Sequence, residues 1–419
     1  MTDRPAPAAL HAGTAVPAAA AVPVLAIAAL ALAAMASGIS LRLADPLLPR
    51  LSREFGISLG QASQVITAFA VAYGAAQLLF GPLGDRFGKY RVIAWACAAS
   101  AITSLACALA TGHASLLAAR LAAGATAAAV IPLAMAWIGD VVPYERRQPV
   151  LARFLIGQIT GFAIGVWLGG YTAEHWPWRT PFLAVAAFFA LVALVLQAVR
   201  RRLPAAAVQP QRRPGNPFVT MAREFRAVLA QRWARVVLVT AFLEGAAVYG
   251  PFAFIAAHLH QRLALPLSTV GAMVMGFALG GLGFALGARV LVRRLGEVVL
   301  VRAGSMIMAA AFVAIALAPA AGWAVVACIA MGLGFYMMHN TLQTHATQMA
   351  PERRGAAVAA FASCFFLGQS AGVGLAGALV GITGTGTVLG AGAVALVAVA
   401  WGFNRQRARV LSRTHAPIG

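Results

Sequence analysis

The stretch GPLGDRFGKYR, from Gly81 to Arg91, decides how the rest of this chain is read. Gly81, Gly84 and Gly88 permit close backbone approach or a positive φ at a tight turn. Asp85 sits among Arg86, Lys89 and Arg91, where a carboxylate can take charge-assisted hydrogen bonds from a basic neighbour or face the positive end of another helix. Apolar runs flank the turn, residues 61–83 before it and 91–111 after it. A glycine-rich loop that follows an apolar helix rather than a strand is no phosphate cradle, and the chain holds no G-x-x-x-x-G-K-[ST] string.

The same pattern continues outward from this turn. The chain has 419 residues, 61% of them apolar, against about 45–50% in soluble domains. A bilayer core about 30 Å thick needs about 20 mostly apolar residues per helix. Twelve such runs are predicted, at 23–44, 61–83, 91–111, 114–139, 149–172, 180–199, 236–258, 267–288, 298–318, 322–348, 356–380 and 384–403. The longest polar break, Arg200 to Arg235, contains Pro204, Pro210, Pro214 and Pro217 and divides them six and six. The expected fold is an all-α membrane protein with twelve transmembrane helices in two pseudo-symmetric six-helix bundles. Residues 1–22 are expected as a disordered cytoplasmic tail, 23–199 as the N-terminal bundle, 200–235 as a basic cytoplasmic linker, 236–403 as the C-terminal bundle and 404–419 as a basic cytoplasmic tail. The first run is too long, and too soon followed by another, for a cleaved signal peptide.

A formal charge of +21 suggests a nucleic-acid partner until the charges are placed. With both termini cytoplasmic, 24 of the 32 basic residues fall on that side. Arg42, Arg50, Arg53, Arg179 and Arg262 fall on the other, and Arg120, Arg153 and Arg302 lie within runs. This is the positive-inside asymmetry of a membrane protein. Membrane lipid, not nucleic acid, is the expected surface. The 31 arginines to one lysine, with much Ala and Gly, fit a GC-rich bacterium, hence an inner membrane. Cys97, Cys107, Cys328 and Cys364 lie far apart in apolar runs and form neither a disulfide framework nor a metal site. No cofactor is expected, and no enzyme.

Half the chain repeats the other half. At an offset of 207, PYERRQPVLARFLIGQITGFAIGVWLGG from Pro143 matches PERRGAAVAAFASCFFLGQSAGVGLAG from Pro351. Glu145, Arg146 and Arg147 pair with Glu352, Arg353 and Arg354; Gly161, Gly165 and Gly170 pair with Gly368, Gly372 and Gly377. Runs 5 and 11 are thus one element in two halves. Glycines spaced by four form stripes, Gly157, Gly161, Gly165 and Gly169 on run 5, Gly276 and Gly280 on run 8, Gly368 and Gly372 on run 11. Such stripes let helix backbones approach closely in lipid, and their recurrence in both halves points to an interface that also slides.

The turn at Gly81 resembles the signature loop of the major facilitator superfamily, G-x-L-a-D-r-x-G-r-k, at Gly81, Leu83, Asp85, Arg86, Gly88 and Lys89. The resemblance implies a cytoplasmic gating cluster of Asp85, Lys89 and Asp140 beside Gly355, holding an outward-open state. The second-half counterpart, ARVLVRRLGE from Ala288, keeps Arg294 and Gly296 but has no Asp, so no matching cluster is expected there. Run 4 resembles the family's l-x-x-R-x-x-q-G pattern at Arg120 and Gly124, with Ala123 at the Gln position. Run 5 resembles the antiporter signature G-x-x-x-G-P-x-x-G-G at Gly161, Gly165, Gly169 and Gly170, with Val166 in place of Pro.

Ionisable groups within a membrane cost about 2.5–3.5 kcal/mol on insertion scales and face a cavity or a partner. Asp45 and Arg120 lie at similar depth and could pair across the first half, unless Asp45 is already solvated. Glu244 lies well inside run 7 with no cation near it in sequence. A carboxylate held away from water accepts a proton more readily than one in water, which is the chemistry of a proton-coupled carrier. The alternative is a structural Glu hydrogen-bonded to a neighbouring helix. Glu244, Asp45 and Arg120 are therefore the proton-coupling candidates. On run 10, Tyr336, Asn340 and Gln343 share a face with His339 at its edge. With Tyr73, Gln77, Gln158, Tyr249 and Gln369 these are the substrate-cavity candidates. His258 and His260 are expected to be solvated at the outer end.

The expected function is secondary transport of a small, amphipathic organic solute by alternating access, in a monomer driven by the proton gradient. Resemblance to the twelve-span drug:proton antiporters favours efflux. Proton-coupled uptake of a small metabolite is the alternative, and a non-transporting membrane sensor or assembly protein on the same fold is the alternative of another class.

Overall fold

In hydrocarbon every backbone N–H and C=O must be satisfied internally, so a long apolar run folds as a helix. The computed structural model describes residues 23–210 and 216–414; the expected tail at 1–22 and residues 415–419 lie outside the described residues. Among the described residues there is no strand. Ten helical segments among these residues are long and apolar enough to cross a membrane. Two of them are hairpins: Leu267–Ala316 turns back at Gly296 (φ 70°, ψ 167°) and Pro351–Val410 at Gly384 (φ 79°, ψ 163°). A left-handed φ is open to glycine and disfavoured for residues with a Cβ, so one glycine reverses the chain in each.

Divided at these glycines, the segments make twelve spans. Spans 1 to 6 are Val24–Arg42, Leu59–Phe87, Lys89–Ala108, His113–Val141, Arg146–His175 and Thr180–Arg200. Span 7 is Arg232–Leu263, spans 8 and 9 flank Gly296, span 10 is Ala321–Gln348, and spans 11 and 12 flank Gly384. The core divides likewise. One apolar cluster draws mainly on spans 1 to 6 and a second mainly on spans 7 to 12. The polar break between spans 6 and 7 contains a further helix, Pro217–Ala230.

The glycine stripes do not lie at the sliding interface that the sequence suggests. Gly157, Gly161, Gly165 and Gly169 of span 5 rest on the backbone of Ala31, Met35, Ile39 and Leu43 of span 1, in the same half. Gly368 and Gly372 of span 11 rest on Phe242 and Ala246 of span 7. Met35 and Ile39 shifted by the repeat offset of 207 are Phe242 and Ala246, so both halves close on one seam. Gly280 meets the Ile329 carbonyl of span 10, and Gly276 the Ile329 side chain, again within a half. The stripes are seams because glycine lets a backbone carbonyl of the neighbouring helix sit where a Cβ would stand.

Contacts between the halves are closest at the end away from the linker and continue inward to Gly74 of span 2, whose carbonyl accepts from the Ser363 hydroxyl at 2.8 Å. Gly170 of span 5 faces span 8, where an added Cβ would stand 2.5 Å from the Leu267 carbonyl oxygen. Gly377, its counterpart in the repeat, faces span 2, where a Cβ would stand 2.5 Å from Ser63 Oγ. Glu174 adds a polar clasp, its Oε2 accepting from the Ser268 backbone N–H at 3.0 Å and from the Ser268 hydroxyl.

Candidate functional site

Between the halves lies a cavity of about 2010 Å³. Its deep end reaches Gly38, Leu41 and Arg42, and its mouth, on the linker side, is rimmed by Asp85, Lys89, Arg147, Glu224 and Arg354. With the far end sealed by the glycine crossings, the molecule is open toward the linker. Of the cavity candidates, Tyr73, Gln77, Gln158, Tyr249, Tyr336, His339, Asn340 and Gln343 all line it. Gln369 does not: it is fully buried, with Oε1 accepting from Arg42 Nη2 at 3.1 Å. Aromatic rings make much of the wall. Tyr73 of span 2 packs on Phe366 of span 11 at 4.5 Å between centroids, across the halves.

Arg42 is the deepest charge in that wall. The sequence places it with the outer basic residues, because it ends an apolar run; the fold instead turns it inward, where it is 1% exposed. Its guanidinium lies 3.8 Å from the centroid of Tyr249 and 5.2 Å from that of Phe162, and Nη1 stands 3.5 Å from Asp45 Oδ2. Asp45 is therefore partnered by Arg42, one helical turn away, and is not solvated. It does not pair with Arg120, whose Nε and Nη1 donate to the Val65 and Ser40 carbonyls at 3.2 Å each, with the guanidinium over Phe69. Arg120 thus ties spans 1, 2 and 4 together inside the first half. Two signals in the sequence point to Arg42: it stands three residues before Asp45, and the offset of 207 sets it opposite Tyr249.

Glu244 is fully buried, and its Oε2 stands 3.0 Å from His339 Nδ1. His339 stacks on Phe335, with ring centroids 4.9 Å apart and planes at 16°, and packs on Phe365 at 4.5 Å. Neither Glu244 nor Asp45 lines the cavity, whereas His339 and Arg42 do. Each buried acid is thus reached from the cavity through one side chain. Glu244 Oε1 and both Asp45 oxygens lack a hydrogen-bond partner among the described residues, so each site keeps unused acceptor capacity.

On the linker side Lys89 Nζ bonds Asp140 and stands 3.8 Å from Asp85, as the signature loop implies. Gly88 has φ +91°, so the turn does require a glycine there. Asp85 and Gly355 both line the open mouth, one from each half. The second half has a counterpart that its missing Asp did not suggest: Glu297, next to Gly296, takes Arg407 Nη2 at 2.7 Å and lies 3.4 Å from His345 Nε2. His258 is buried rather than solvated, with Nδ1 2.8 Å from Thr385 Oγ1 and Nε2 3.2 Å from the Ala316 carbonyl. His260 Nδ1 stands 2.6 Å from the Leu265 carbonyl.

The family model described as Major Facilitator Superfamily matches residues 30–373. The chain belongs to the Major Facilitator Superfamily. Among curated facilitators it is 27% identical, over 80% of its length and 84% of the relative's, to the uncharacterized MFS-type transporter YceJ of Bacillus subtilis. It is 32% identical to the multidrug export protein EmrB of Escherichia coli over 176 residues, which are 42% of this chain and 34% of that protein. Among solved facilitators it is similar in fold to the nucleoside transporter NupG (TM-score 0.72, 16% identity, 91% of this chain, 98% of that one). It is also similar in fold to a bacterial homolog of the human lysosomal transporter Spinster in an inward-facing and unoccupied conformation (TM-score 0.69, 18% identity, 91% and 95%). As a facilitator it is an integral membrane transporter of a small molecule, and its apolar spans stand in lipid.

Proposed function

We propose that this facilitator exports a small, amphipathic organic solute across a bacterial inner membrane in exchange for protons, as a monomer with both termini and the linker in the cytoplasm. The basic excess on the linker side supports the orientation, and the likeness to a multidrug export protein supports the direction. The observation that carries the coupling is Glu244, fully buried and held at 3.0 Å by a histidine that lines the cavity.

The mechanism follows from that geometry. A carboxylate in a low-dielectric site is stable when it is protonated or when it has a hydrogen-bonded or cationic partner. Solute entering from the cytoplasm meets rings for its apolar body and Tyr336, Asn340 and Gln343 for its polar groups. A cationic group on the solute that reaches Glu244 compensates the carboxylate charge and makes a proton there dispensable. Solute binding thus expels the proton, and the two travel in opposite directions. The halves then rock about the cavity, parting at the Gly170 and Gly377 crossings to release solute outside. The test is efflux from proteoliposomes under an imposed pH gradient, with solute chosen by a thermal-shift panel. Glu244→Gln is expected to lose dependence on the gradient, and retention of full dependence would show that Glu244 does not couple.

A second reading, uptake of a small metabolite together with a proton, is favoured by Arg42. A solute carboxylate that took Arg42 would strip Asp45 of its cation and leave it in need of a proton, so that both would move together. Reversing the gradient and following the direction of solute movement separates the two readings.

A further inference from the structure

The linker helix Pro217–Ala230 belongs to neither set of spans, and its residues divide cleanly by face. Asn216 caps it, with Oδ1 accepting from the Phe218 N–H at 3.0 Å. Thr220, Met221, Glu224 and Phe225 rim the cavity mouth, and Val228 is buried in the core of the second half. On the other face Phe218, Val219, Ala222, Arg223, Arg226 and Leu229 are exposed, at the spacing of one helical stripe. Phe218 is 38%, Val219 54% and Leu229 52% exposed. This is the composition of a helix that lies in a membrane interface, apolar side chains in the acyl boundary and arginines among headgroups.

Depth and surroundings agree. The helix runs directly into span 7 at Arg232 and packs against the linker-side ends of spans 2 and 7 and of the hairpin that carries spans 11 and 12. It therefore lies where the spans leave the hydrocarbon. Arg200, Arg201 and Arg202 end span 6 beside the same break, and Arg232 and Arg235 open span 7. The surface is strongly basic, and the leaflet it meets in the orientation proposed above is the anionic one.

We infer that the linker helix docks on the anionic phospholipid headgroups of the cytoplasmic leaflet. Arg223 and Arg226 meet the phosphates, while Phe218, Val219 and Leu229 enter the acyl boundary. Because the opposite face of the same helix rims the cavity, attachment to lipid also sets the position of Thr220, Met221, Glu224 and Phe225 at the mouth.

The test uses the full chain with Val219→Cys, in a Cys364→Ser background because the other three cysteines are buried. The new thiol carries an environment-sensitive fluorophore, and the protein is reconstituted into vesicles of phosphatidylcholine alone or with phosphatidylglycerol added. Phosphatidylglycerol is expected to shift the emission to the blue and to raise quenching by lipid-borne quenchers. Arg223→Gln with Arg226→Gln is expected to remove both effects. Emission that does not depend on phosphatidylglycerol overturns the inference, whether the label reports water or lipid. So does a response that the double substitution leaves intact. Neither outcome depends on which solute is carried or on its direction.

Discussion

Arg42 and Tyr249 stand 207 residues apart, at equivalent positions of the two halves, and they meet, the guanidinium carbon 3.8 Å from the ring centroid. The same offset relates Phe162 to Gln369, and Arg42 touches both, at 5.2 Å from the Phe162 centroid and 3.1 Å from Gln369 Oε1. Four positions of one repeat thus gather at the deep end of the cavity. There residues of spans 1, 5, 7 and 11 converge on the Arg42 guanidinium.

Arg42 is the cation that makes a buried Asp45 tolerable. Breaking a buried pair by removing one member leaves an uncompensated charge and costs about 3–5 kcal/mol. Arg42→Met is expected to lower the melting temperature of the purified protein, and adding Asp45→Asn to recover most of the loss. Thermal unfolding of wild type and the two variants checks this; an Arg42→Met protein that melts with wild type would show that the pair contributes little.

Glycines that look alike in sequence should behave differently. At Gly161 a Cβ would collide with the Met35 backbone inside one half, where nothing can rotate away. Gly161→Ala is expected to destabilise by about 1–3 kcal/mol, as overpacking does, without moving the balance between inward-open and outward-open. At Gly170 and Gly377 the clash is relieved when the halves part. Gly170→Val and Gly377→Val are expected to favour the outward-open form. Spin labels on Arg53→Cys and Gln261→Cys, both exposed on the far side, should move apart in the latter variants and not in Gly161→Ala.

His339→Phe separates packing from proton handling. The ring stack on Phe335 survives, while the contact to Glu244 is lost. A hydrogen bond to a charged group is worth about 1.5–3 kcal/mol, so flux driven by a pH gradient is expected to fall by about tenfold or more. Exchange of solute at equal pH on both sides should be retained. Equal loss of both activities would assign His339 to solute binding alone.

Much of the fold was legible because membrane insertion is read from local properties. The length of an apolar run gives a span, and the stretch from Gly81 to Lys89 announces its family through residues next to one another, although its chain reversal falls only at Gly88. Most of the cavity candidates were legible too, since polar side chains in hydrocarbon have to face a cavity or a partner, as Tyr336, His339 and Asn340 do. Gln369 was misplaced for the same reason in reverse: polarity showed that it needed a partner, not that the partner was Arg42, 327 residues away. His258 looked solvated because it closes an apolar run, and Thr385 and Ala316, which hold it, come from distant spans.

By itself the sequence determined twelve spans in two related halves, a loop that assigns the superfamily, and a charge bias of 24 basic residues against five that supports an orientation. These follow from sums over neighbouring residues, which need no knowledge of which helices meet. Only the tertiary structure decided that Arg42 points inward to Asp45, Gln369 and Tyr249, that the glycine stripes are seams while Gly170 and Gly377 are crossings, and that a linker helix rims the cavity. Each of these depends on which helix faces lie against one another, and a face acquires a partner only when spans far apart in the chain pack together.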